Sequence, residues 1–144
     1  MTQNHSDIRT RFIFDDMPIR GMHIRLEKVW HHIVNQKHYP VAIRRALGEL
    51  LAAGSLLSAN LKNEGTLIVQ VQGQGRLKML VVEATSENTV RATARWDETA
   101  EIRDDESLTA LLGENSVFVL THQPKDADPW QGVVPLEGDS IAQM

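Results

Sequence analysis

The sequence predicts an α+β fold: a largely antiparallel sheet with a long buried helix and shorter helices packed on it. Three observations predict it. Residues 41–62 carry apolar side chains around most of a helical circumference. From Thr66 the apolar period changes to two and holds through three successive segments. The links between those segments are short, which suits antiparallel neighbours and not parallel crossovers. With 144 residues the chain is long enough for one domain with a real core.

Residues 11–14 read as a first strand, broken by Asp15, Asp16 and Pro18. Residues 19–26 alternate and read as a second. A helix follows over 27–37, where Leu26, Trp30, Ile33 and Val34 share a face. Pro40 opens the long helix, because a missing N–H costs nothing in a first turn. Its stripe is Ile43, Leu47, Leu50, Gly54, Leu57 and Leu61, widened by Ala46, Leu51, Ala53 and Leu56. Gly65 stands where a left-handed cap is expected.

Strands then occupy 66–72 and 77–84, joined at Gly73-Gln74-Gly75-Arg76. After a polar turn over 85–89, residues 90–96 form a third: Val90, Ala92, Ala94 and Trp96 face one way, Arg91, Thr93 and Arg95 the other. An acidic loop covers 97–106, and Ser107 caps a short helix over 108–112 that Gly113 ends. Residues 117–120 suit a central strand, 124–129 a loop, and 131–136 a strand that Pro135 confines to an edge. The last residues read as a turn, an N-cap at Ser140 and one helical turn over 141–144. One turn is unstable alone, so the chain is expected to be a fragment of a longer protein.

Composition narrows the function classes. At 42% hydrophobic and 24% charged, the chain has ordinary globular character. A net charge of −4 gives no global field toward nucleic acid or anionic lipid, so neither is an expected partner. The absence of cysteine removes disulfides, thiolate nucleophiles and cysteine-bound metals from these residues and fits a cytosolic origin. The N-terminus has no apolar signal-like run. The weakly charged stretch Ala46–Leu61 falls short of the roughly 20 apolar residues a membrane span needs.

The motifs that could carry chemistry resolve into structure. Gly73-Gln74-Gly75 lacks the third glycine of a dinucleotide loop, since Lys78 stands there, and a strand follows where a helix is needed. A hairpin turn using positive φ is expected instead. Of the six histidines, His31 and His32 point about 100° apart on a helix, and His5, His23, His38 and His122 have no chelating spacing. Ala53-Gly54-Ser55-Leu56-Leu57 lies inside the apolar helix, the wrong place for a nucleophile elbow. Asp97, Glu98, Glu101, Asp104, Asp105 and Glu106 match no calcium loop. No catalytic, cofactor-binding or metal-binding residue is expected, and no enzyme. The alternative is a small-molecule enzyme with a pocket near Arg91, Arg95 and His122; a bare dimerisation module is the third reading.

Three blocks carry a resemblance: Ala46-LGELLAAGSLLSAN-Leu61-Lys62, Leu67-IVQVQGQ-Gly75, and Gln131-GVVPLEGD-Ser140. In order and spacing they are similar to the redox-regulated heat-shock chaperones of thirty-three kilodaltons. The resemblance implies that residues 1–144 are a truncated N-terminal, substrate-holding domain. It implies a cytoplasmic, ATP-independent holdase that binds unfolding proteins, acts as a homodimer and is switched on by oxidation. It places the switch in a C-terminal module of four cysteines, C-x-C and C-x-x-C, that holds zinc when reduced. None of those cysteines is in this chain, so zinc is expected only in that missing module. Self-association is also expected from the long helix, whose apolar circumference needs cover on several sides.

Overall fold

The alternation of residues 8–25 produces a hairpin standing apart from the main sheet. In the computed structural model, which describes residues 7–87 and 89–144, β1 (Ile8–Ile13) and β2 (Arg20–Arg25) pair only with each other. The Phe12 ring lies over Gly21, where any Cβ would collide with it, so the glycine is the seat for the ring. His5, and Asn88 of the expected polar turn, lie outside the described residues.

Helix α1 (Lys28–Gln36) buries Ile33 and packs on β5, while its Trp30 sits against Gly48 of the next helix. Its cap comes from a distance. The side chain of Glu27 makes no capping bond; instead the Asp7 carboxylate accepts from the Lys28 N–H at 2.9 Å and the Val29 N–H at 3.2 Å.

Helix α2 (Val41–Ser58) follows, with Pro40 at the N-cap position and not inside the first turn. Its buried stripe includes Ile43, Leu47, Leu50 and Leu51. Gly54 lets the helix approach β4, since a Cβ there would lie 3.0 Å from Val82 Cγ1. The helix ends before Lys62, the end expected from its periodicity. The Ser58 hydroxyl donates to the Ser55 carbonyl at 2.9 Å and the Asn60 amide to the Leu56 carbonyl at 3.2 Å, which satisfies terminal carbonyls early. Gly65 is therefore no cap. It opens β3 against the backbone of a neighbouring strand, where a Cβ would meet the Gln123 carbonyl.

Strands β3 (Gly65–Gln72), β4 (Leu77–Thr85) and β5 (Val90–Trp96) form a meander. Next come α3 (Leu108–Leu112), β6 (Val117–Pro124), β7 (Trp130–Pro135) and a final 3₁₀ turn over Ile141–Gln143. The five-stranded sheet has the order β5-β4-β3-β6-β7, antiparallel throughout. Leu67, Val69, Val71, Leu80, Val82, Ala92 and Ala94 face α2 and form the core with it. Ser107 caps α3 by accepting from the Ala110 N–H at 3.2 Å, and Gly113 ends it at φ 77°.

Two local expectations change. Gly73 and Gly75 lie in the turn, but neither has positive φ. What requires them is the end of α3: Gln74 and Gly75 donate their N–H groups to the Leu112 carbonyl at 2.9 and 2.7 Å, and side chains at 73 or 75 would strike that backbone. The final turn is 3₁₀, and the Ser140 hydroxyl does not cap it. The Glu49 carboxylate on α2 accepts the Ile141 N–H at 3.0 Å and pins the turn to the long helix.

Candidate functional site

The expected pocket of Arg91, Arg95 and His122 does not form. His122 pairs with Leu67 and so lies on the α2 side of the sheet. Arg91 pairs with Glu83, which pairs with Ile68, on the opposite side, and Arg95 shares that side with Met79. Two strands also separate β5 from β6, a distance of about 14 Å at ordinary strand spacing. Arg91 spends its charge on Glu83 at 2.8 Å. Alternation along each strand fixed which residues share a side within it; the pairing that sets two strands' sides against each other was not visible.

The acidic loop is built into the framework. Arg76 binds Glu106 at 2.7 Å and the Glu101 carbonyl at 2.9 Å, and Arg45 holds the Asp104 carbonyl at 3.0 Å. Hydrogen bonds from Arg103, with its charge, hold Asp105 below the usual carboxylate pKa. The Thr99 hydroxyl and N–H do the same for Asp97. Among the described residues, no three His, Asp or Glu side chains converge as a metal site. Ser55 is buried within α2, far from any elbow geometry.

What the surface presents is apolar. A groove of about 800 Å³ runs between α2 and the β6–β7 pair, walled by Leu56, Leu57, Phe118, Leu120 and Val134. On the groove's side of the sheet β7 exposes Trp130 (58%) and Val134 (53%), and on the other side Val133 (57%). The β1–β2 hairpin exposes Phe12, Ile13, Phe14, Met17 and Ile19. On the face away from α2, Ile68, Val81 and Val133 alternate with Gln70, Thr93, Thr121 and Gln131; Val119 on the same face is buried, and His32, Ile33 and Gln36 of α1 share a pocket with Val81 and Thr93 at the β5 end. The alternation of 66–72 showed that β3 has two sides; that one of them stays open required the position of α2.

Fold and surface together define an antiparallel α+β domain whose exposed features are apolar contact surfaces. The chain belongs to the Hsp33 family: the family model described as Hsp33 protein matches residues 7–144. It is 82% identical over 141 residues to the 33 kDa chaperonin of Neisseria meningitidis serogroup A, covering 98% of this chain and 47% of that protein. To the 33 kDa chaperonin of Chromobacterium violaceum it is 47% identical over 146 residues, covering 100% and 49%. The crystal structure of the Thermotoga maritima 33 kDa chaperonin, a heat shock protein 33 homolog, has the same fold, with a TM-score of 0.81 at 22% identity over 96% of this chain and 48% of that one. The chain spans about half the length of the curated relatives it matches.

Proposed function

We propose that this chain is the client-holding part of an ATP-independent holdase that binds unfolding proteins and keeps them from aggregating. The observation that carries the proposal is the exposed apolar groove and rim between α2 and β7, on a chain of a chaperone family. A holdase needs exposed apolar surface and no reaction centre, and an unfolding protein exposes apolar segments to match. No helix of the described residues is long and apolar enough to cross a membrane; a cytoplasmic site and a homodimer complete the reading.

Oxidative activation belongs, on this reading, to a zinc module outside these residues. The chain does not fit zinc itself. It has no cysteine, and its described histidines and carboxylates form no three-ligand group. Nothing in the holding step is therefore routed through the metal.

The test is light scattering from an enzyme unfolding on heating, without ATP. The sample is this chain joined to the second half its relatives carry and oxidised with peroxide. Scattering should fall at stoichiometric chaperone. Equal scattering with and without the protein would overturn the proposal.

A further inference from the structure

A cavity of about 350 Å³ lies under the β1–β2 hairpin, where that hairpin meets α1, α2 and the ends of β4 and β5. Small-ligand pockets begin at roughly this size, about 300 Å³. Ile24, Leu26, Val29 and Val90 supply apolar walls, and Ser55 of α2 lines the cavity with them. The hairpin's alternation places its share. Arg9 stands opposite Ile24 in the ladder, so the two lie on one side of it, and Arg11, two residues on, reaches the Ala59 carbonyl from that side. The cavity shares no lining residue with the groove beside β7.

Two polar features mark it. The first is buried. Ser55 is 4% exposed, and its hydroxyl has no hydrogen-bond partner among the described residues. Helical serines commonly donate to a carbonyl one turn back, as Ser58 does to Ser55; Ser55 itself does not. A buried hydroxyl left in that condition is costly, and a polar atom of a bound molecule relieves the cost. The second feature is at the exposed end. Asp7 and Arg9 both line the cavity and are two residues apart in an extended stretch, so they point the same way. Neither makes an ion pair among the described residues, with each other or with any third group. Asp7 accepts from the Lys28 and Val29 N–H groups, but a carboxylate has about four acceptor positions and keeps some free. The mouth therefore presents one positive and one negative group side by side, and the interior one hydroxyl among apolar walls.

We propose that this cavity binds a free α-amino acid whose aromatic side chain carries a hydroxyl. Its carboxylate meets the Arg9 guanidinium and its ammonium the Asp7 carboxylate. The ring lies among Ile24, Leu26, Val29 and Val90, and its hydroxyl exchanges a hydrogen bond with Ser55 Oγ. The zwitterion follows from the mouth: a simple anion would face Asp7, and a simple cation would face Arg9. The hydroxyl follows from Ser55, which an aliphatic tail would leave without a partner. The same residue inside a polypeptide has neither the ammonium nor the carboxylate, so the site selects the free molecule. Occupancy ties β1 to both helices, and it does so for a hairpin whose strands pair only with each other.

The probe is L-tyrosine, titrated into the isotope-labelled 144-residue chain and read by the amide chemical shifts of Val29, Ser55 and Val90. Saturable binding is expected, with a dissociation constant of about 1 mM or below for a ligand of this size. L-Phenylalanine, which lacks the hydroxyl, should bind at least fivefold more weakly. Tyramine, without the carboxylate, and N-acetyltyrosine amide, without either charge, should each bind at least tenfold more weakly. Arg9→Gln alters an exposed side chain; it should weaken tyrosine at least tenfold and leave the urea midpoint where it was. Ser55→Ala removes a hydroxyl that has no partner, so the variant should fold like the parent and bind tyrosine and phenylalanine alike. The proposal is overturned by the absence of a saturable shift, by shifts confined to other elements, or by a preference for tyrosine that survives Ser55→Ala. Equal binding of tyrosine and its acetylated amide also overturns it, since that result assigns the cavity to segments of polypeptide.

Discussion

The two edges of one sheet are treated differently. β5 carries Arg91 and Arg95, α1 packs on it, and its last residue Trp96 is held by the Tyr39 ring at 5.5 Å and the Lys37 ammonium at 4.6 Å. β7 has no charged residue, no helix of the described residues packed along it, and exposed Trp130, Val133 and Val134. Both strands have comparable length and partners, so topology does not explain the difference. A protein that needs only a stable sheet guards both edges. Among the described residues one edge is covered and charged and the other is neither.

The largest expected effect comes from removing the guard. Ile33→Ala deletes the one fully buried side chain of α1 and should cost about 2–5 kcal/mol of stability, measured by urea unfolding. Asp7→Ala removes the remote cap that starts α1. It should cost about 1 kcal/mol in the same measurement, with a loss of helical circular dichroism.

Exchanging the edges' chemistry should move binding more than stability. Val133→Lys places a charge on the open edge, and the pair Arg91→Val with Arg95→Val strips it from the guarded one. Each should stay within about 0.5 kcal/mol of the parent per site in urea, because these side chains are exposed. Suppression of client scattering by the full-length protein should weaken for the first, and light scattering of the chain alone should rise for the second.

The smallest effect is acid sensitivity of the loop after β5. Asp97 and Asp105 have folded pKa values below the ordinary carboxylate value, held there by hydrogen bonds from Thr99 and Arg103. Their contribution is complete above the unfolded value and is lost as pH falls through the lowered ones. Both are fully exposed, so the effect is small: any difference in urea midpoint between the parent and Asp105→Asn should be present above pH 5 and vanish as pH falls below about 4.

Much of the framework was legible. Leu67, Val69 and Val71 alternate with Thr66, Ile68, Gln70 and Gln72, which gave β3 its period, and Pro135 marked an edge before any pairing was known. The rest depended on contacts between distant residues. No local pattern announces that Asp7 caps Lys28, that the end of α3 crowds Gly73 and Gly75, or that Ser58 and Asn60 stop a helix whose apolar stripe continues to Leu61. The contact surface was the least legible part. Trp130, Val133 and Val134 look like ordinary strand residues until their strand is found last in the sheet among the described residues.

The place of β6 has a consequence for synthesis. It pairs with β3 from the far side of the meander, Gly65 opposite Pro124, so β3 acquires that neighbour only after β4, β5 and α3 have been made. At ordinary translation rates the interval is on the order of seconds. Throughout it the nascent chain shows the uncharged edge of GTLIVQVQ, a segment of high strand propensity, to its crowded surroundings. A molecule read here as a keeper of unfolded chains is thus, early in its own life, a chain in need of keeping.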